Sequence, residues 1–238
     1  MNITVTTQEE FDAIQEDFDG TILIKSKENH INITPRKNAL IKVYGDSDVI
    51  LHEDTFAELY DESTALLYDN SRVKMFDNSY ADLPDKSYAE LFGKSYATLW
   101  NNSRAALRDN SGAELWGNSS AALRDNSNAV LHDTSSAELR GNSRAVLWSN
   151  SRATLHDISS AELYNDSRAV LWSNSRATLH DTSSVELWGN SSALLRGNSS
   201  AELLGNSRAV LHDTSRAVLQ DNSDAELYDN AKIKEDHR

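Results

Sequence analysis

Apolar and polar residues alternate along most of this chain within a repeat of eight residues. From Gly45 to Tyr228 the sequence divides without a gap into 23 octapeptides, such as GNSRAVLW at 141–148. Positions 3, 5 and 7 are mostly Ser, Ala and Leu, whereas positions 4, 6 and 8 vary. This period of two predicts a strand with one buried face, and the Asp, Gly and Asn of positions 1 and 2 predict a turn. The fold class predicted is therefore all-β, a parallel β-helix (β-solenoid) whose stacked repeats share one core.

The number of strands in one coil follows from the spacing at which octapeptides resemble each other. Residues 141–164 closely match residues 165–188, and Glu recurs at position 6 in every third octapeptide. These similarities favour a 24-residue coil of three strands. The alternative is a flat two-sheet solenoid with a 16-residue coil, in which each column of outward residues contains several residue types. Glu stacked on Glu at ~4.8 Å counts against the three-strand coil.

The chain divides into four segments. Residues 1–20 are predicted to hold a short strand and a capping helix, with Thr7 as the N-cap and Glu10 three residues later. Apolar residues follow at helical spacing as far as Phe18, and we expect this helix to cover the first coil. Residues 21–44 form a degenerate first coil, and 45–228 form the octapeptide solenoid.

Residues 229–238 form a charged C-terminal end. We expect their charges to protect the last strand against end-to-end stacking; these charges are carried by Lys232, Lys234, Glu235 and Asp236.

Composition narrows the classes of function. The 238 residues include 23 basic and 37 acidic side chains, a net charge of -14, and no cysteine. Such an acidic chain is expected to repel nucleic acid and anionic membranes, and no apolar stretch reaches membrane-spanning length. Without a signal-peptide pattern at its start, the sequence predicts a cytoplasmic protein.

Candidate binding residues lie at the outward positions. In a 24-residue coil, tryptophans would form two aromatic columns at the corners. The favoured interpretation is stacking within the column, and the alternative is contact with a protein or a sugar. Outward arginines would form pairs on two faces, either binding acidic groups or keeping the faces soluble. The candidates are Trp100, Trp116, Trp148, Trp172 and Trp188, with Arg144 and Arg168 on one face and Arg152 and Arg176 on the next.

Three histidines are weaker candidates. His132, His156 and His180 would stack on one edge of a 24-residue coil, each followed by Asp, a set that can hold a divalent metal. A turn Asp after a variable outward residue explains the same pattern without metal. We predict no catalytic residue, because no His lies at an inward position beside the repeated Ser. We also predict no metal and no cofactor. The repeated Ser and Asn are interpreted as structural, bonding backbone groups and forming amide ladders at the corners.

The short Asn-Ser-x-Ala-x-Leu repeats that follow a capped N-terminus resemble those of bacterial and phage β-solenoid proteins. The resemblance covers residues 21–228 and implies an architecture, not an activity. Pentapeptide-repeat proteins, some of which imitate DNA, differ in period, and insect antifreeze β-helices differ in their Thr-x-Thr rows.

The sequence thus predicts a non-enzymatic repeat scaffold or binding module. Its outward aromatic and charged ladders would meet a protein or glycan partner, because all chemical variation lies at outward positions. The alternative is an acidic decoy that imitates nucleic acid and occupies a DNA- or RNA-binding protein. Residues 1–100, with 19 acids and 9 bases, suit that role best.

Overall fold

The computed structural model describes residues 1–27, 30–36 and 38–235 and confirms the β-solenoid. Its strands form two parallel sheets, with strands β2, β4 and the later even-numbered strands in one sheet, and β3, β5 and the later odd-numbered strands in the other. We call these the even sheet and the odd sheet. β1 joins the even sheet.

One coil contains two strands, each supplied by one octapeptide. From β2 onward each strand pairs with the next but one, so that Tyr88 lies beside Arg104 and Arg144 beside Ser160. The two-sheet alternative is therefore observed, and the favoured three-strand coil is wrong. The two-sheet register places Glu162 between Val146 and Thr178, which avoids the carboxylate-on-carboxylate columns of a 24-residue coil.

The chain divides into two units. The first comprises Met1–Glu114 and Asn118–Ser120. It contains one helix among the described residues, α1 (Gln8–Asp12), which is too short and too polar to span a membrane. Its strands are β1 (Asn2–Val5), β2 (Asp19–Ile24), β3 (Ile31–Ile33), β4 (Asn38–Val43), β5 (Asp48–Leu51), β6 (Phe56–Leu59), β7 (Thr64–Leu67), β8 (Arg72–Met75), β9 (Tyr80–Leu83), β10 (Tyr88–Leu91), β11 (Tyr96–Leu99) and β12 (Arg104–Leu107).

The second unit comprises Leu115–Gly117 and Ala121–Arg238. The division runs through two strands, β13 (Gly112–Leu115) and β14 (Ser120–Leu123). The later strands are β15 (Asn128–Leu131), β16 (Ser136–Leu139), β17 (Arg144–Leu147), β18 (Arg152–Leu155), β19 (Ser160–Leu163), β20 (Arg168–Leu171), β21 (Arg176–Leu179), β22 (Ser184–Leu187), β23 (Ser192–Leu195), β24 (Ser200–Leu203), β25 (Arg208–Leu211), β26 (Arg216–Leu219), β27 (Asp224–Leu227) and β28 (Lys232–Glu235).

The core is formed by the three inward positions of the octapeptide. Leu at position 7 is fully buried from Leu51 to Leu211, apart from Met75 in the same role, and the small residues at positions 3 and 5 are also buried. Each buried Leu contributes about 1.5–3 kcal/mol through removal of its side chain from water. The inward positions therefore hold the coils together and leave positions 4, 6 and 8 free to vary.

Each corner is a four-residue turn closed by the repeated Ser. In the turn from His156 to Ser159, the Ser159 N–H and hydroxyl donate to the His156 carbonyl at 3.2 and 2.7 Å. The predicted structural role of Ser is thus confirmed there and, with the equivalent bonds, at Ser111 and Ser183. At Ser143 the buried hydroxyl has no hydrogen-bond partner in the part of the chain that the structure describes.

Position 1 of the octapeptide adopts a left-handed conformation, with φ of 60° at Asp157 and 67° at Gly141. The Gly141 N–H, left free by its own turn, donates to the Asp157 carboxylate one coil later at 3.0 Å. Asparagine side chains continue the ladder at position 2, as predicted, where Asn142 donates to Asn126 at 3.1 Å. The corners are therefore cross-linked from coil to coil as the strands are.

The N-terminal helix covers the first coil, as predicted. Thr7 is its N-cap and accepts from the Glu10 N–H at 3.2 Å. The side-chain amide of Gln8 accepts from the Asn32 N–H at 2.7 Å and donates to the Asn32 carbonyl at 3.1 Å, which satisfies the open edge of β3. Phe11 is fully buried. The expected continuation to Phe18 is wrong, because the chain turns after Asp12 to enter β2 at Asp19.

Candidate functional site

The outward face of the odd sheet in the second unit carries a column of arginines at position 4. Arg144, Arg176 and Arg208 lie on alternate strands, separated by Ser160 and Ser192. Successive arginines are therefore about 9.6 Å apart, two strand spacings of ~4.8 Å. All three are exposed, and none forms an ion pair within the described residues. We call this column the arginine row.

A second column, at position 6, runs beside the arginine row and is largely apolar. It contains Val146, Thr178, Leu194 and Val210 with a single acid, Glu162. The Tyr164 hydroxyl donates to the Glu162 carboxylate at 3.1 Å, so this acid is held toward the corner. Burial, followed by that bond, raises the pKa of Tyr164.

The two columns line a shallow concavity of about 490 Å³ that extends over five odd-sheet strands. The serines between the arginines provide its depth, because a short side chain leaves a gap between two long ones. Three arginines against one carboxylate give this surface a positive charge on a chain whose net charge is -14. It suits an extended ligand with spaced negative groups and some apolar area.

The face of the even sheet has a smaller concavity, of about 290 Å³, lined by Arg152, Thr154, Arg168 and Val170 among others. Here the two arginines lie on adjacent strands, one strand spacing apart. The predicted pairs, Arg144 with Arg168 and Arg152 with Arg176, are therefore wrong. The 16-residue coil places Arg144 and Arg176 on the odd sheet and Arg152 and Arg168 on the even sheet.

Sequence reasoning missed Arg208 and the two intervening serines. The signal was the recurrence of Arg at position 4 in every fourth octapeptide, at 144, 176 and 208. Four octapeptides make two complete coils when a coil holds two of them, but not a whole number of coils when it holds three. A three-strand coil therefore scatters the three arginines over different faces.

The predicted tryptophan columns are also rearranged. Position 8 forms two edges, which we call the odd edge and the even edge after the strand that precedes each residue. Trp100 lies on the odd edge in the first unit, and Trp116 and Trp148 lie on the odd edge in the second unit. Trp172 and Trp188 lie on the even edge. The expected columns of Trp148 with Trp172 and of Trp116 with Trp188 do not form.

Rings on these edges stack on rings one coil away. Centroids are 4.2 Å apart for Trp148 and Tyr164, 4.5 Å for Tyr164 and His180, and 5.0 Å for Trp172 and Trp188. The rings are within 13° of parallel. A sugar stacks on a ring face, and each of these contacts covers one face of the two rings it joins, with both faces covered at Tyr164. The stacks therefore favour a stabilising role for the aromatic residues over a glycan-stacking role.

The three histidines do not converge. His132 and His180 lie on the odd edge, separated by Trp148 and Tyr164, while His156 lies on the even edge. His132 stacks on Trp116 with a centroid distance of 3.8 Å. No group of three or more potential metal ligands is found within the described ranges. The stacking of three histidines on one edge, which was the argument for a metal site, is not observed.

Apart from Tyr164, the described ionisable groups with shifted pKa values lie in the first unit, and those of Tyr80 and Glu58 belong to structural contacts. Burial raises the pKa of Tyr80 to about 12, with its hydroxyl 2.8 Å from both Asp82 and Thr98. Burial alone would raise the pKa of Glu58, but hydrogen bonds from Tyr60 and Lys42 outweigh burial and lower it. These shifts disfavour an ionised phenol and supply no general base.

The chain matches no protein-family model, no curated protein and no solved structure, so its own geometry is the evidence on function.

Proposed function

We propose that the protein is a non-enzymatic binding module whose odd-sheet face in the second unit binds an extended anionic partner, a protein or a glycan. The single observation that carries the proposal is the arginine row. Three guanidinium groups in one column, none of them in an ion pair among the described residues although Asp224 follows Arg208 in the register, are a specific feature on a strongly acidic chain. Guanidinium groups recognise carboxylates, sulfates and phosphates through paired hydrogen bonds.

The scaffold supports binding without rearrangement. Strand ladders and corner bonds fix the backbone beneath the arginine row on every coil, as in the Arg176 N–H bond to the Ser159 carbonyl at 3.0 Å. A ligand then orders the arginine side chains but no backbone, which lowers the entropic cost of binding. Octapeptides without insertions also leave the face open along its length, as an extended ligand requires.

The test uses two anionic probes of different class, a polyglutamate peptide and a polygalacturonate chain, with dextran as the neutral probe. Affinities are measured by isothermal titration at low ionic strength with the full chain. Replacing Arg144, Arg176 and Arg208 by Ser, the residue that alternates with them, removes the row without altering the repeat. Each charge-assisted hydrogen bond lost is worth ~1.5–3 kcal/mol, so binding of the preferred probe is expected to weaken by at least about tenfold.

The matched control replaces Arg152, Arg168 and Arg216 of the even sheet by Ser. This variant has the same net charge as the test variant and should bind within about twofold of the wild type. Equal losses in the two variants would indicate general charge attraction, and absence of binding by either anionic probe would contradict the proposal. A higher affinity for polyglutamate indicates a peptide-like partner, and a higher affinity for polygalacturonate indicates a glycan-like partner.

A second candidate is the acidic decoy, favoured by the charge of residues 1–100, which is net -10 from 19 acids and 9 bases. It predicts salt-sensitive binding of a basic nucleic-acid-binding protein through the first unit. The variant in which Ser replaces the arginine row separates the two candidate functions, because it should leave the binding of a basic nucleic-acid-binding protein unchanged.

A further inference from the structure

The arginine row has a fixed spacing that an anionic partner must match. Its members lie on alternate strands of the odd sheet, so the row from Arg144 to Arg208 is about 19.2 Å long, in two steps of about 9.6 Å. The strand ladders hold the backbone at these three points in place. A ligand that meets all three guanidinium groups at once must therefore carry an acid about every 9.6 Å along one of its faces.

Extended peptide conformations differ in whether they offer that spacing. A β-strand repeats a face every second residue, at about 6.6–6.8 Å and next at about 13.2–13.6 Å, and both distances miss the step of the row by roughly 3 Å or more. A polyproline II helix has three residues per turn and a rise of ~3.1 Å, so it repeats a face about every 9.3 Å. Two such steps span about 18.6 Å, which is within ~1 Å of the length of the row.

An α-helix is less suitable because of its width. It repeats a face about every seven residues, or roughly 10.5 Å, but its diameter is about 10–12 Å. The arginine row and the position-6 column beside it are two residues apart along each strand, or about 6.7 Å. A helix would rest on the rims of the concavity that these two columns line, whereas a polyproline II chain is slender enough to enter it.

The position-6 column suits a proline-rich chain. Val146, Thr178 and Val210 lie two residues after the three arginines on the same strands, and each is half-buried. When one ridge of a polyproline II helix faces the arginines, a second ridge faces these side chains. Proline fits that ridge, because its ring is apolar and its fixed φ already favours the polyproline II conformation.

The strands between the arginines disfavour additional acids in the ligand. Ser160 and Ser192 take the place of arginine there, and the first of these strands also carries Glu162. A ligand acid at that level would meet a carboxylate instead of a guanidinium group, which selects against closely spaced acids. The Ser160 and Ser192 hydroxyls form no hydrogen bond in the part of the chain that the structure describes. They can donate to the ligand's carbonyl groups, which have no internal partners in polyproline II.

From this spacing, we propose that the partner of the arginine row is a proline-rich peptide segment in polyproline II conformation, with Glu or Asp at every third residue. The inference rests on the proposed function, because it names the partner of the same surface. Acids at residues i, i+3 and i+6 of the segment face Arg144, Arg176 and Arg208. Both the segment and the backbone beneath the row are ordered in advance, so binding orders side chains alone.

The test compares three labelled nine-residue peptides with blocked ends and three glutamates each, by fluorescence anisotropy with the full chain at low ionic strength. EPPEPPEPP has the proposed spacing, EEEPPPPPP has the same composition, and EGGEGGEGG has the same spacing without a preference for polyproline II. EPPEPPEPP is expected to bind at least about tenfold more tightly than EEEPPPPPP, whose adjacent acids point to three sides of the helix. It should also bind more tightly than EGGEGGEGG, which loses more chain entropy. Equal affinities for EPPEPPEPP and either of the other peptides would overturn the proposal.

A matched variant moves one arginine without changing composition or net charge. R176S/S192R shifts the middle guanidinium group by one strand spacing, about 4.8 Å. Arginines on adjacent strands already occur at Arg152 and Arg168, so the fold accepts this pattern, and circular dichroism checks that the variant keeps its sheets. Binding of EPPEPPEPP should weaken by at least about tenfold, while that of EEEPPPPPP should change by less than about twofold. Unchanged binding of EPPEPPEPP to the folded variant would overturn the proposal.

Polyglutamate distinguishes a wrong partner from a wrong site. If polyglutamate binds the wild type but not the variant in which Ser replaces the arginine row, while EPPEPPEPP and EEEPPPPPP bind equally, the site is correct and the polyproline II partner is wrong. Tighter binding of polygalacturonate than of every peptide would make the partner a glycan and would likewise overturn this proposal alone. Absence of binding by every anionic probe would contradict both the partner and the proposed function.

Discussion

At the scale of single residues, the octapeptide is defined by what each corner needs. Position 1 requires a left-handed backbone, which Gly adopts freely and which Asp and Asn tolerate better than other residues. Asp adds a carboxylate that accepts the N–H one coil earlier, at 2.8 Å from Asp213 to Gly197 and 3.0 Å from Asp221 to Gly205. Asp at position 1 is therefore a structural acceptor, and its repetition explains much of the acidic composition without any functional site.

Serine at position 3 permits a paired test of hydrogen bonding at equivalent sites. Ser159 donates its hydroxyl to the His156 carbonyl, whereas the Ser143 hydroxyl is buried with no partner among the described residues. Ser159→Ala is expected to lower the free energy of unfolding by about 1 kcal/mol through loss of that bond. Ser143→Ala is expected to leave it unchanged or raise it slightly, because a desolvated hydroxyl is removed.

Urea denaturation followed by circular dichroism checks this difference. Ser143 and Ser159 occupy the same position on neighbouring odd-sheet coils, so strand position and substitution are matched. Equal losses in the two variants would show that the hydroxyl of Ser143 also finds an acceptor and that the two sites are equivalent.

At the scale of elements, the sequence predicted the strands and the corners but not how many strands make a coil. Alternation of inward and outward residues determines each strand locally. Coil closure depends on which strands stack, and a duplication of three octapeptides around 141–188 imitates a stacking period. The spacing between Gly and Asp at position 1 indicates a coil of two octapeptides, because every position-1 Gly except Gly189 is followed by Asp two octapeptides later. The donor and its acceptor are thereby placed one coil apart.

The candidate site follows from that period. In a 16-residue coil Arg144, Arg176 and Arg208 fall in one column, whereas in a 24-residue coil they separate. Glu186 and Glu202 show why Glu stacked on Glu could not be used to exclude a coil period from the sequence. These two acids do stack, and each accepts a hydrogen bond, from Trp188 at 2.7 Å and from Gln220 at 2.9 Å. Such side-chain compensation depends on the edges and cannot be inferred before the coil is known.

The edge stacks lead to a prediction about Trp148. Its ring lies 4.2 Å from that of Tyr164, so Trp148→Ala is expected to lower the free energy of unfolding by about 0.5–1.5 kcal/mol beyond the area lost. Trp148→His is the control, because His occupies this position in other coils and can stack on Tyr164. It should restore most of the loss in thermal or urea denaturation. A Trp148→Ala variant as stable as wild type, with weaker binding to an anionic probe, would instead make Trp148 a contact residue.

At the scale of the whole molecule, charge acts in opposite directions on folding and on the proposed binding of an anionic partner. The net charge of -14 opposes folding through self-repulsion. Part of it arises in corner columns, where the Asp77 carboxylate accepts from the Asp61 N–H and lies one coil from the Asp61 carboxylate. Two such charges ~4.8 Å apart repel by about 1 kcal/mol even in bulk water. Screening should therefore stabilise the fold and weaken the binding of an anionic probe to the arginine row.

We accordingly expect the melting temperature of the full chain to rise with salt. Between about 0.01 M and 1 M NaCl the screening length falls from ~30 Å to ~3 Å. Each kcal/mol of repulsion removed corresponds to ~2–4 °C for a chain of this size.

Two double variants provide matched chains for that measurement, one in which two lysines become Glu and one in which two acids become Lys. K232E/K234E has a net charge of -14 - 4 = -18, and D224K/E226K has -14 + 4 = -10. If long-range repulsion limits stability, salt must raise the melting temperature of the first more than that of the second. Equal increases in melting temperature would assign the effect to the general action of salt on apolar burial. A decrease in the melting temperature of both variants would mean that attractive pairs such as Lys42 with Glu58 outweigh the repulsion between corner carboxylates.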